Sequence, residues 1–198
     1  TLLSFGVVLG RRLHETSLER TPMLSRYAVV VPALASWAVL AVPAWIETPL
    51  APDVTFGAPG SAHLLSFGVV GFVVLGTLYH VVPFIVWVHR YSDRLGYEPV
   101  PMIDDLYDDR LAAADFGCLL AGLVALVAAD LVALPRWVAL GGGVLTLAGI
   151  GLFVANVLLV IRRHSPQSIL GVLFGTTAID TGQSPSDASE VSSGVEKR

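Results

Sequence analysis

The sequence is short of charge and of sulfur. Only 14% of its 198 residues are Asp, Glu, Lys or Arg. An ordinary soluble domain has about 25%. That shortage argues against a soluble enzyme, and the apolar content of 54% excludes a disordered chain. A net charge of −4 provides no basic stripe for phosphates, so nucleic acid is not an expected partner. Cys118 is the sole cysteine, which excludes an internal disulfide and a metal site built from several thiolates. Lys197 is the sole lysine, leaving eleven of the twelve basic residues as arginine. Acid excess with lysine depletion resembles the composition of salt-adapted proteins. There is no His-His pair and no His-x-His motif.

What is abundant is long apolar sequence, with a mean hydropathy of +0.71. A bilayer-spanning helix needs about 20 apolar residues. Four segments qualify, near 26–46, 62–88, 112–134 and 137–161. The expected fold is therefore all-α, an integral membrane bundle of four complete spans. The second segment, with 27 residues, is expected to tilt or to extend past the hydrocarbon. Trp45, Trp87 and Trp137 fall at span ends, where aromatic belts lie. Trp37 falls mid-span and is expected to pack against another helix.

Loop charge orients the bundle. The stretch 11–26 holds Arg11, Arg12, Arg20 and Arg26, and 89–111 holds Arg90, Arg94 and Arg110. Arg162 and Arg163 follow the fourth span, while 47–61 has no lysine or arginine. Positive loops mark the cytoplasmic side. The expected location is thus a cell membrane, with 11–26, 89–111 and the C-terminal tail inside. Residues 1–10 are apolar, too few to span, and are stopped by Arg11 and Arg12. They read as the remnant of a helix whose start is missing. The expected membrane domain is 1–164, followed by a largely disordered tail over 165–198. Within the tail, 168–179 could lie on the membrane surface. The heptapeptide LLSFGVV occurs at 2–8 and again at 64–70, and chance accounts for it more readily than duplication.

Histidines inside spans are costly and usually paired or liganded. His63 opens the second span, and His80 lies 17 residues later on the same helix. On a regular helix their rings are about 100° and roughly 25 Å apart, so they cannot share one metal. His89, His14 and His164 fall in polar segments. Gly68, Gly71 and Gly76 permit close approach of a helix or a flat cofactor. Pro83 is expected to kink the helix after Tyr79 and His80. On these residues alone, ordinary helix packing is the more probable account than a site.

The stretch His63-Leu-Leu-Ser-Phe-Gly through Gly76-Thr-Leu-Tyr79-His80-Val-Val-Pro83, continued by Trp87-Val-His89-Arg90-Tyr91-Ser92, resembles a helix of small membrane proteins related to haem–copper oxidase subunit I. The branch is that of cbb-type oxidases and nitric-oxide reductases. The resemblance covers residues 62–110. It implies a haem held by a histidine near the outer face, a place His63 matches. His80 lies at the wrong depth and is the weaker candidate. The only metal implied is the haem iron on His63. The chain is not a complete oxidase by itself, because the copper and second-haem histidines are absent. A six-coordinate haem needs a second axial ligand. No other histidine lies at the outer side, so that ligand is expected from the missing N-terminal part or a partner subunit. The resemblance thus implies electron transfer or gas sensing. Two alternatives stand beside it: a transporter of ions or small solutes, and a structural subunit without chemistry of its own.

Other polar residues are secondary candidates. Asp104, Asp105, Asp108 and Asp109 could hold a cation, but they lack the glycine and ligand order of a calcium loop. A solvated acidic face, partly paired with Arg94 and Arg110, is the expected state. Asp130 can reach water at the outer end, and Asn156 can bridge helices. A proton path from Asp115 through Tyr79 or His80 is conceivable, but their depths do not cross the membrane. Gly141, Gly142, Gly143, Gly149 and Gly151 are expected to pack the fourth span tightly.

Overall fold

A computed structural model describes residues 2–15, 21–58, 60–132 and 134–164. The readings of the tail over 165–198 lie outside the described residues. Five α-helices occur among the described residues: α1 (Leu2–Glu15), α2 (Pro22–Glu47), α3 (Phe72–Tyr91), α4 (Asp109–Leu131) and α5 (Arg136–His164). A π-helical segment, Leu64–Gly71, leads into α3. No strand occurs among the described residues. Four helical stretches are long and apolar enough to cross a membrane: Pro22–Glu47, Leu64–Arg94, Asp109–Leu131 and Arg136–His164. The expected all-α membrane bundle is therefore the observed architecture.

Helix ends follow local chemistry. Thr21 caps α2 by accepting from the Leu24 amide at 3.3 Å, and Pro22 fills the first turn, where its missing N–H costs nothing. Asp108 caps α4 by accepting from the amides of Arg110 (2.9 Å) and Leu111 (3.2 Å). The helices then meet through small residues. A Cβ on Gly68 would stand 2.9 Å from the Ala33 Cβ, and one on Gly149 would stand 2.7 Å from Leu119 Cγ. Where backbones approach this closely, dispersion contacts replace the hydrophobic drive that lipid cannot supply.

The first helix runs past Arg11 and Arg12 to Glu15, where Arg11 forms an exposed i,i+4 pair at 3.5 Å. Trp37 is buried in the core with residues of α3 and α4, as expected of a residue packed against another helix, and its indole N–H donates to the Phe56 carbonyl at 2.8 Å. Two expectations need correction. Gly141, Gly143 and Gly151 face no neighbour, so only Gly142 and Gly149 of that group bring α5 against α4. The second span is not a regular helix throughout, because π turns occupy its first eight residues. The 100° separation of His63 and His80, which assumed α-helical rotation, does not hold. Pro83 sits inside a continuous α3 and is buried there.

The main core lies mid-bundle. Val30, Leu34, Trp37, Phe72, Leu119 and Leu123 are all buried together, drawn from α2, α3 and α4. This apolar layer separates two polar groups at opposite ends.

Candidate functional site

The first polar group gathers near the 92–108 end of the bundle. Arg26 (α2), Tyr79 (α3), Asp115 (α4) and Asn156 (α5) converge there, and Arg26, Asp115 and Asn156 are fully buried. Arg26 Nη2 forms an ion pair with Asp115 Oδ1 and also donates to the Ala112 carbonyl at 3.2 Å. Nη1 donates to the Pro22 carbonyl at 2.8 Å. The guanidinium lies 4.1 Å from the Tyr79 ring centroid and 5.7 Å from that of Phe116. The Tyr79 hydroxyl donates to Asp115 Oδ2. Asn156 Nδ2 donates to that hydroxyl at 3.2 Å and to the Asp108 carbonyl at 2.9 Å, while its Oδ1 accepts from the Asp108 amide at 3.0 Å.

Each member of this cluster answers a need of another. A charge in a low-dielectric interior is tolerable only when paired and hydrogen-bonded. Asp115 receives the guanidinium on one oxygen and the phenol on the other. Among the described residues only Arg26 Nε is a buried polar side-chain atom without a partner. The cluster ties four helices together. It accounts for Asp115 and Asn156, which stood out as intramembrane polar residues. It also corrects the reading of Arg26 as a loop charge: Arg26 is buried inside the bundle.

The adjacent acidic loop is spent on local structure. Asp105 accepts from the Met102 amide at 2.9 Å, and Asp104 accepts from the Tyr107 hydroxyl at 3.3 Å. Burial, with Asp104 and Asp109 nearby, pushes the Tyr107 hydroxyl above its ordinary titration range and keeps it a donor. Arg94 reaches Glu98 at 3.9 Å.

The second polar group lies near the 47–61 end. His63 precedes the π segment, and its Nδ1 contacts Asp130 Oδ2 across the gap to α4. Their side chains are 41% and 27% exposed, so the pair is reachable from outside the bundle. Gly60, with φ +82°, lets the chain turn tightly against α4: a Cβ there would stand 2.9 Å from the Asp130 carbonyl oxygen. The pairing of His63 with Asp130 joins residues 67 positions apart. Sequence spacing holds no signal for it, beyond the expected reach of Asp130 to water.

The structure keeps His80 apart from both groups. It is exposed on α3 and stacks on Phe84, with centroids 6.2 Å apart. His89 bonds within its own helix, to the Ile85 carbonyl at 2.8 Å. Tyr91 and Arg90 bind His164, at 3.0 Å each, and so join the ends of α3 and α5. No group of three or more His, Cys, Asp or Glu side chains that could hold a metal ion occurs among the described residues.

Haem ligation asks less than such a group: one side-chain donor on each axial side, a histidine nitrogen among the usual ones. His63 is the residue that could offer one. A carboxylate on one ring nitrogen fixes the tautomer and orientation of a metal-ligating histidine and leaves the other nitrogen for the metal. Asp130 stands in that relation to His63. Comparison with known proteins finds no matching family model, no matching curated protein and no matching solved structure.

Proposed function

We propose that this chain is part of an electron-transfer assembly in a cell membrane and that His63 provides one axial nitrogen to a haem. The observation that carries the reading is the contact of His63 Nδ1 with Asp130, which leaves Nε2 as the donor atom at a reachable end of the bundle. Haem would supply one-electron chemistry there. The chain's own contribution is to orient the imidazole and to hold its tautomer through Asp130. The second axial ligand would come from a partner subunit, because no other histidine of this sequence lies at the outer side. The resemblance over residues 62–110 favours the same assignment.

The apolar layer between the two polar groups argues against a transporter. A conducting path through this bundle would have to cross Phe72, Leu119 and Leu123, which carry no polar atom in their side chains. The buried Arg26 cluster favours a second reading, a purely structural subunit, because it fixes helices without needing a ligand.

The test is haem quantification in the full-length protein, extracted in mild detergent. Bound haem that is lost in His63→Ala and kept in His80→Ala supports the reading. Haem that is absent from the unmodified protein leaves the structural reading standing.

The orientation belongs to the same proposal, with 47–61 outside and 89–111 inside. Arg90, Arg94 and Arg110 support it, as do Arg11, Arg12 and Arg20, even with Arg26 removed from the tally. An impermeant thiol reagent added outside should label Thr55→Cys and spare Ser92→Cys in a Cys118→Ser background. The reverse pattern would overturn the orientation.

A further inference from the structure

The outer face of α3 carries a polar ring that the bundle does not answer. His80 is exposed and stacks on Phe84, with planes 15° apart. Among the described residues neither of its ring nitrogens has a hydrogen-bond partner. Val74, Val81, Phe84 and Ile85 beside it are exposed as well. His80 also lies deep. The Trp87 indole N–H donates to the Pro101 carbonyl at 2.7 Å, which sets Trp87 level with the 92–108 end. His80 is seven residues further into the span, about 10 Å along an α-helix. An imidazole is too short to reach back over that distance, and acyl chains offer it neither donor nor acceptor. An unpaired polar ring in hydrocarbon is costly, and histidines in spans are met by hydrogen bonds from neighbouring helices.

We propose that this face of α3 pairs with the same face of a second copy of the chain, His80 hydrogen-bonding to His80 of that copy. Two copies inserted in the same direction are related by a twofold axis along the membrane normal, so a residue near the axis meets its own counterpart at its own depth. Few side chains can hydrogen-bond to themselves. A neutral imidazole can, because one ring nitrogen donates and the other accepts. A second copy therefore brings the required group to the required depth by symmetry alone. Thr77, His80, Phe84 and Trp87 follow at intervals of three, four and three. That is the seam spacing of two parallel helices in left-handed contact, where like positions face each other. Thr77 is held by the Tyr27 hydroxyl at 2.8 Å and Trp87 by Pro101, so His80 and Phe84 are the members left for the contact. The inference goes beyond the haem reading and does not depend on it, since His80 lies away from His63 and Asp130.

The experiment uses the full-length protein in two arms. In native membranes, Phe84→Cys in a Cys118→Ser background is oxidised and is expected to give a disulfide-linked dimer. Leu147→Cys, 71% exposed on α5, is expected to stay monomeric. In phosphatidylcholine bilayers, energy transfer between labelled copies reads self-association over a range of protein-to-lipid ratios. His80→Leu is expected to weaken it about threefold to twentyfold, the range of one interhelical hydrogen bond in a membrane. His80→Gln, whose amide again carries a donor and an acceptor, is expected to restore most of it. Unfolding in mixed micelles is expected to be unchanged in both variants, because the position is exposed. An absence of concentration-dependent association overturns the proposal, as does association unchanged in His80→Leu or a loss that His80→Gln does not recover. Equal crosslinking through Leu147→Cys, or a Phe84→Cys crosslink to a different polypeptide, overturns it as well.

Discussion

The two ends of this bundle solve the same chemical problem in opposite ways. Each pairs an aspartate on α4 with a cation-capable side chain from a distant segment: Arg26 with Asp115, and His63 with Asp130. The first pair has no exposed side-chain surface, while the second is 41% and 27% exposed. Burial sets what each can do. A buried pair stripped of one partner leaves a charge in an apolar medium, so it fixes structure. An exposed pair can exchange partners and admit a ligand, so it is suited to chemistry.

The largest effect should come from breaking the buried pair. Asp115→Leu should destabilise the bundle by about 3–5 kcal/mol, because the Arg26 guanidinium loses its counter-charge. Denaturant titration in mixed micelles reads this directly. The double variant Arg26→Met with Asp115→Leu should recover most of the loss, since no buried charge then remains.

Next comes the packing that holds the cluster in place. A Cβ on Gly149 would stand 2.7 Å from Leu119 and 3.1 Å from the Asp115 carbonyl oxygen. Gly149→Val should push α5 from α4 and cost about 1–3 kcal/mol. The same titration checks it, and Gly151→Val, which meets no neighbour, is the control.

Tyr79→Phe removes one donor to Asp115 and one acceptor for Asn156 but leaves the ion pair. Interhelical hydrogen bonds in membranes are worth about 0.6 kcal/mol on average and up to about 1.7. A loss near about 1 kcal/mol is expected. A loss as large as that of Asp115→Leu would mean that the phenol, not the guanidinium, carries the cluster.

The smallest stability effect should belong to His63→Ala. Exposed ion pairs contribute about 0–1 kcal/mol. Its unfolding midpoint should stay close to that of the unmodified protein, in contrast to the buried end.

Much of the fold was legible because long apolar runs leave little choice in a bilayer. The four observed spans overlap the four expected ones, and α2 begins earlier than expected because Thr21 and Pro22 make a helix start. Asp115 and Asn156 were legible as polar residues in apolar surroundings. Arg26 was not, because its partner lies 89 positions away and arginine near a span end ordinarily marks a loop. The π segment was not legible either, and the repeated heptapeptide shows why. LLSFGVV is α-helical at 2–8 and π-helical at 64–70. Local preference therefore does not decide between the two. In the second copy Gly68 is pressed between Ala33 and Leu123, whereas Gly6 in the first meets only Leu34. Tertiary contact, absent from any local window, accompanies the change of helix type.

The division of labour between the ends is tested most directly by a reduced-minus-oxidised absorbance spectrum of the full-length protein carrying His63→Ala, set beside Tyr79→Phe. The account predicts that the haem bands vanish in His63→Ala and persist in Tyr79→Phe. Bands that persist in His63→Ala and vanish in Tyr79→Phe would place the ligand site at the buried end and contradict it.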